Sequence, residues 1–263
     1  MRLIRQVGKA VFAGADVFLP SPQGPRILIY HQVGSRLGRQ MEVTVGDFIW
    51  QLDWLAQNRE VVSLDTALQR WDEPGSENLV VLSFDDGYRD TYSTAYPLMK
   101  ERGMPFTLYL ATEKVETGDG LIGAEPLTWD QIEEMVASGL VTIGSHTHTH
   151  ADLRTLAADG IIREIETNNR LLESRLESSP VHFAYPWGYW SEPADHVVRS
   201  TYVSAVLGAP SLFRTTRFDP YFLHRFPVQL ADGRSWFTRR LHGGLLMEEE
   251  ARRLLRRYRL PRW

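Results

Sequence analysis

A series of short, unbroken apolar runs, each followed by a helix-like segment, constrains this chain more than any other feature. Residues 26–30 read RILIY, 79–84 LVVLSF, 106–110 FTLYL, 140–145 LVTIGS, 181–185 VHFAY and 202–207 YVSAVL. Continuous runs rather than apolar/polar alternation mark strands covered on both faces. The segments between them carry helix signals. Thr44 caps a run with Phe48, Leu52 and Leu55 at helical spacing, Thr128 and Gln131 form a capping box, and Ile161, Ile165, Leu172 and Leu176 share one stripe. Strands alternating with helices predict a parallel sheet, as a barrel or a doubly wound sheet. Only Thr112 to Pro126, rich in glycine, reads as a long loop of the kind found at a site edge.

The chain has 263 residues, room for a barrel in one unit. Its net charge of −4 argues against a general nucleic-acid binder, and the absence of cysteine excludes disulfides, thiolate metal sites and cysteine nucleophiles. The first twenty residues begin basic, but their apolar run is short for a signal peptide or a membrane span. A short amphipathic helix is the simpler expectation, and cytoplasmic or membrane-peripheral residence follows. The end of the chain, EEEARRLLRRYRLPRW, reads as a basic amphipathic helix, solvated or in contact with an anionic membrane surface. These limits divide the chain into an N-terminal segment and linker (1–25), a barrel (26–230) and a helical extension (231–263).

Two polar clusters follow predicted strands. Asp85 and Asp86 come directly after LVVLSF, and like charges that close repel unless a cation or a shared proton lies between them. His146, His148 and His150 come directly after VTIGS. If the chain turns helically there, His146 and His150 share a face and His148 points elsewhere; if it stays extended, all three line one side. Strand C-termini are where parallel α/β folds assemble their sites. Two histidines with one carboxylate suit Zn²⁺, and also Fe, Co or Ni, leaving the second carboxylate beside the metal's water.

The blocks YHQV, VVLSFDDGYRDTY, PLTWDQI, TIGSHTHTH, FAYPWG and HRFPV, in that order, resemble the NodB-type polysaccharide deacetylases of carbohydrate esterase family 4. The resemblance spans about residues 26 to 230 and implies a distorted (β/α)7 barrel. It implies Asp85 as general base and Asp86, His146 and His150 as ligands of one divalent metal, zinc first. The third block departs from the family's Arg-x-Pro-Tyr, reading Ala184-Tyr185-Pro186-Trp187, so the arginine that steadies the base is missing. Arg225 in HRFPV either supplies that charge from a neighbouring strand or makes a plain structural salt bridge. Leu241-His242 falls in a predicted helix, so His31 in YHQV is the better general acid, as in a subgroup with permuted motif order. The Trp187 N–H is implied in the oxyanion hole, with Tyr185 and Trp129 as further aromatic contacts for a sugar. The implied activity is removal of N-acetyl groups from an amino sugar in an acetylated glycan. An O-acetyl esterase, a small-amide hydrolase or a barrel that binds glycan without turnover are the alternatives.

Overall fold

The computed structural model describes residues 24–119, 123–208, 218–244 and 247. The expected N-terminal amphipathic helix and nearly all of the basic C-terminal stretch lie outside them.

Seven strands form the frame: β1 Arg26–Tyr30, β2 Leu79–Asp85, β3 Phe106–Leu110, β4 Val141–Ser145, β5 His182–Ala184, β6 Ser204–Val206 and β7 Arg225–Pro227. All pair in parallel in the order β7-β1-β2-β3-β4-β5-β6. A bridge between Val206 and Leu223, with the Leu207 N–H donating to the Leu223 carbonyl at 2.7 Å, brings the two edges together. The result is a nearly closed barrel of the (β/α)7 type. A two-residue strand, Glu60–Val61, adds to β2 at its start.

Alternation along each strand separates lumen from outer face. Ile27, Leu79, Val81, Tyr109, Ala184, Val206 and Leu223 form one buried cluster, drawn from nearly every strand, that fills the lumen. Leu64 and Ala67 from helix α2 (Leu64–Gln69) join it at the floor. The opposite parity, including Leu28, Leu82, Phe84, Leu108 and Phe226, packs outward against helices. Gly144 in β4 makes the lumen possible, because a Cβ there would lie 2.3 Å from the Tyr109 ring. At the floor, His182 bonds Ser204 at 2.8 Å through Nδ1 and faces Asp65 of α2 at 3.2 Å through Nε2.

Helix α1 (Val45–Asn58) opens at Thr44, whose side chain accepts from the Asp47 N–H as the sequence predicts. Helices α3 (Tyr96–Glu101), α4 (Thr112–Thr117), α5 (Trp129–Ala137), α6 (Ala158–Leu176) and α7 (Glu192–Thr201) fill the crossovers. The capping box of Thr128 and Gln131 is present. Helix α4 corrects the reading of residues 112–126 as one loop. It is six residues long, has only Thr112 and Val115 buried, and stops at Gly118 in the left-handed conformation (φ 71°). So short an apolar face leaves no period to read. Helix α8 (Gly233–Leu241) lies in what was read as the C-terminal extension, yet its Phe237 and Leu241 belong to the main hydrophobic cluster. Phe237 meets Trp50 and Trp54 of α1 edge-on at 6.1 and 6.2 Å. No described helix is long and apolar enough to cross a membrane.

Candidate active site

Polar side chains gather at the C-terminal mouth of the barrel. Asp85 is the last residue of β2, and its alternation points it into the lumen with Ser83. Arg225 starts β7 opposite Ile27, which itself pairs with Val81, so its side chain begins well below Asp85. The long guanidinium stem spans that difference. Nη1 and Nη2 donate to the two Asp85 oxygens at 2.6 and 2.7 Å, and Nε donates to the Leu207 carbonyl at 2.8 Å. The guanidinium also stands 5.4 Å from the centre of the Tyr109 ring. Both charges are almost wholly buried, Arg225 at 1% and Asp85 at 2% exposure. Burial alone would raise the Asp85 pKa, but Arg225 first and His146 behind it outweigh burial and hold it below the ordinary carboxylate range.

Asp86 turns the opposite way because its backbone is left-handed (φ 73°), with Gly87 also at positive φ. Its Oδ1 is buried without a hydrogen-bond partner, 3.5 Å from His146 Nε2 and 3.3 Å from His150 Nε2. Burial first, and then the neighbouring Asp86 carboxylate, push the Tyr88 phenol pKa up. Burial opposes the charge on Asp86, yet the two imidazoles keep its pKa well below normal.

The histidine loop is neither helical nor extended. Thr147 and His150 both adopt left-handed φ, 66° and 59°, and this folds the rings of His146 and His150 to within 4.9 Å. His146 Nδ1 lies 2.7 Å from the Ala184 carbonyl, which fixes its proton there and leaves Nε2 with a lone pair toward Asp86. Burial lowers the His146 pKa, and Asp85 and Asp86 more than reverse it. For His150 burial prevails over Asp86, and the pKa falls to about 4. His148 faces away, its Nδ1 on Thr112 Oγ1 at 2.9 Å.

One ligand atom each from Asp86, His146 and His150 lies within 4.8 Å of the others. A tetrahedral ion with bonds of roughly 2.1 Å needs ligand atoms about 3.4 Å apart. The carboxylate–imidazole separations match that edge. With an orphaned buried oxygen and two imidazoles aimed at it, the three residues fit a divalent ion with an open position.

The other residues singled out from sequence fall into two groups. His31 follows β1 at the mouth; its Nδ1 is buried without a partner, and burial lowers its pKa against the pull of Asp86 and Asp85. Trp187 lies above the site, 37% exposed, with its ring 4.7 Å from that of His150. Its backbone is left-handed, and the next residue must be glycine: a Cβ on Gly188 would lie 2.6 Å from Gly208 backbone atoms. Tyr185 is different. Its ring is fully buried against Phe183 and its hydroxyl donates to Asp195 at 3.3 Å, so it is not a substrate surface. Strand alternation explains this, since Tyr185 follows Ala184, which faces the lumen. Trp129 bonds Glu116 through Nε1 at 2.6 Å beneath the Arg175 guanidinium, with its body packed on the core, which makes it part of the wall. His242, exposed, closes α8 on the Thr238 carbonyl.

Sequence reasoning missed Tyr88, the Ala184 carbonyl, Glu164 and Asp90. Asp90 Oδ1 is buried without a partner near Glu42, and burial pushes the Asp90 pKa up to about 7. A folded-state pKa above the unfolded value means the ionised form opposes folding. Stability should therefore fall as pH rises from about 4 to about 7. Asp90→Asn is expected to match the natural chain near pH 4 and to exceed it by about 2 kcal/mol at pH 8 in urea titrations. Equal stability at both pH values would refute the burial account.

A parallel barrel with two histidines and two carboxylates converging at its mouth places a candidate metal centre where folds of this class build their sites. The sequence profile of the polysaccharide deacetylases matches residues 72–206, more than half the chain, and the chain belongs to the polysaccharide deacetylase family. It is 29% identical over 206 residues, 77% of this chain and 70% of the other, to YxkH of Bacillus subtilis, a provisionally named polysaccharide deacetylase. It is 30% identical over 148 residues to the poly-beta-1,6-N-acetyl-D-glucosamine N-deacetylase of Escherichia coli; these are 51% of this chain but only 22% of that protein. The structure of IcaB from Ammonifex degensii superposes with a TM-score of 0.71 at 26% identity, covering 84% of this chain and 97% of that one.

Proposed function

We propose that this chain is a metal-dependent hydrolase that removes N-acetyl groups from N-acetylglucosamine residues of a glycan, with a β-1,6-linked polymer the first candidate. The observation that carries it is the buried Oδ1 of Asp86, unpartnered and faced by two imidazole nitrogens, beside a second carboxylate held by Arg225. The linkage is suggested by the activity for which the Escherichia coli relative, and a Staphylococcus aureus relative 22% identical over 214 residues, are named.

Asp86, His146 and His150 would hold a divalent ion, zinc before Co, Ni or Fe, which would supply Lewis acidity to the attacking water and the acetyl carbonyl. Asp85 takes a proton from the attacking water. Arg225 keeps that carboxylate ionised and fixes both of its oxygens, so the base is aimed before substrate arrives. The Trp187 N–H donates to the carbonyl oxygen as negative charge develops there. His31 protonates the leaving nitrogen, without which an amine anion would have to depart. Carbon–nitrogen cleavage then yields acetate and a free amino sugar.

The test is acetate release from β-1,6- and β-1,4-linked N-acetylglucosamine oligomers after zinc reconstitution. Turnover of the β-1,6 series supports the reading, and no acetate from either series overturns it. His31→Ala is expected to slow amide hydrolysis about 10²-fold or more while an acetyl ester suffers less. Equal losses on both substrates would remove His31 from the acid role.

A further inference from the structure

The two imidazole nitrogens converge only because the chain between them takes an uncommon path. Thr147, a β-branched residue, and His150 both sit in the left-handed region, where neither would settle by itself. Backbone bonds fix the start of the loop and one side of its centre: the His146 N–H donates to the Leu110 carbonyl at 3.0 Å, and the Glu113 N–H donates to the His148 carbonyl at 2.9 Å. The N–H groups of the middle, which these bonds leave over, are taken up by one side chain from α6. Glu164 Oε2 accepts from the His148 N–H at 3.0 Å and from the Thr149 N–H at 2.8 Å, and Oε1 accepts from Thr149 Oγ1 at 2.8 Å. Three donors of two consecutive residues thus end on one carboxylate, between the two histidines that face Asp86.

We infer that Glu164 is a positioning residue that preorganises the metal site by buckling the 146–150 loop onto α6. It touches neither Asp86 nor either facing imidazole, and it acts through the backbone. A carboxylate suits this work because it accepts from several N–H and O–H groups at once and donates none that would compete. Without it, two N–H groups and a hydroxyl lose their acceptor, and the left-handed turn that delivers His150 loses its restraint. His150 then samples positions in which its Nε2 no longer faces Oδ1 of Asp86. The inference rests on the reading of Asp86, His146 and His150 as metal ligands.

Zinc affinity measured by competition with a chromophoric chelator tests it, on the natural chain, Glu164→Ala, Glu164→Gln and His150→Ala. The absorption spectrum of each cobalt-loaded form reports ligand geometry, and melting of the metal-free proteins reports stability. Ile165→Val, a core change on the same helix away from the loop, controls for a general loss of stability. Glu164→Ala is expected to weaken zinc binding by about 10- to 100-fold and to alter the cobalt spectrum. Glu164→Gln, which keeps the shape and one acceptor oxygen, should recover part of the affinity, and it carries the test if the alanine variant does not fold. Zinc affinity unchanged in the glutamate variants, or lowered no more than in Ile165→Val, would overturn the inference while leaving the metal site standing. A natural chain that binds zinc no better than His150→Ala would bring down the metal reading and this one with it.

Discussion

Asp86→Ala is expected to lose both the bound divalent ion and acetate release. The carboxylate is the sole acidic member of the three-residue cluster, and its Oδ1 faces both imidazoles within 3.5 Å. Removing it leaves two neutral ligands and takes away the one charged ligand that offsets a dication in a buried site, Asp85 being paired with Arg225. Several kcal/mol of stabilisation of the developing oxyanion go with the ion, so turnover should fall by at least about 10³-fold. Elemental analysis of the purified variant beside the natural chain, with acetate release on the same samples, checks both halves. A variant that keeps its metal and its rate would remove Asp86 from the site.

Arg225→Ala should be the most damaging single change to the fold near the site. The guanidinium is 1% exposed and makes three short hydrogen bonds, two to Asp85 and one to the Leu207 carbonyl. Truncation strands a buried carboxylate and a carbonyl together. Breaking one side of a fully buried pair costs about 3–5 kcal/mol, against a total stability of roughly 5–15 kcal/mol for a domain. Arg225→Lys keeps a charge but cannot bond both Asp85 oxygens and the Leu207 carbonyl at once, so it should recover only part of the loss. Denaturant midpoints of the three proteins decide this. An alanine variant within about 1 kcal/mol of the natural chain would mean that water reaches Asp85 and that the pair is not truly buried.

The fold was legible because its carriers are periodic. Six of the seven parallel strands announce themselves as apolar runs, since both faces of each are covered, and the caps at Thr44 and Thr128 mark helix starts by side-chain chemistry that acts over three residues. The acids and histidines were legible because they crowd strand ends, where charge has no structural excuse. What stayed hidden depends on contacts across the barrel. HRFPV offers Arg225 as a charge for Asp85 only as one of two alternatives; the register of β7 on β1 is what brings it beside an aspartate 140 residues earlier. Glu164 looks like any polar position between Ile161 and Ile165 on a helix stripe. Tyr185 sits in a motif, yet a one-residue step along the chain puts its ring behind the sheet. Helix α4 escaped notice because six residues bury too little to leave a pattern.

The pairing of Arg225 with Asp85 also orders events in time. One partner ends the second barrel strand and the other opens the last, and the sheet runs from β7 through β1 to β2. During synthesis the acidic mouth of β2 emerges long before its counter-ion, and loop closure over that many residues is slow to be repaid. On that account the barrel should acquire a settled polar mouth as its final act, when β7 docks beside β1. Hydrogen-exchange labelling during refolding would show the amides around Ser83 and Asp85 gaining full protection together with those of β7, and earlier protection of β2 alone would disprove this order. The ion pair proposed to aim the base would then also be the latch that reports a finished fold.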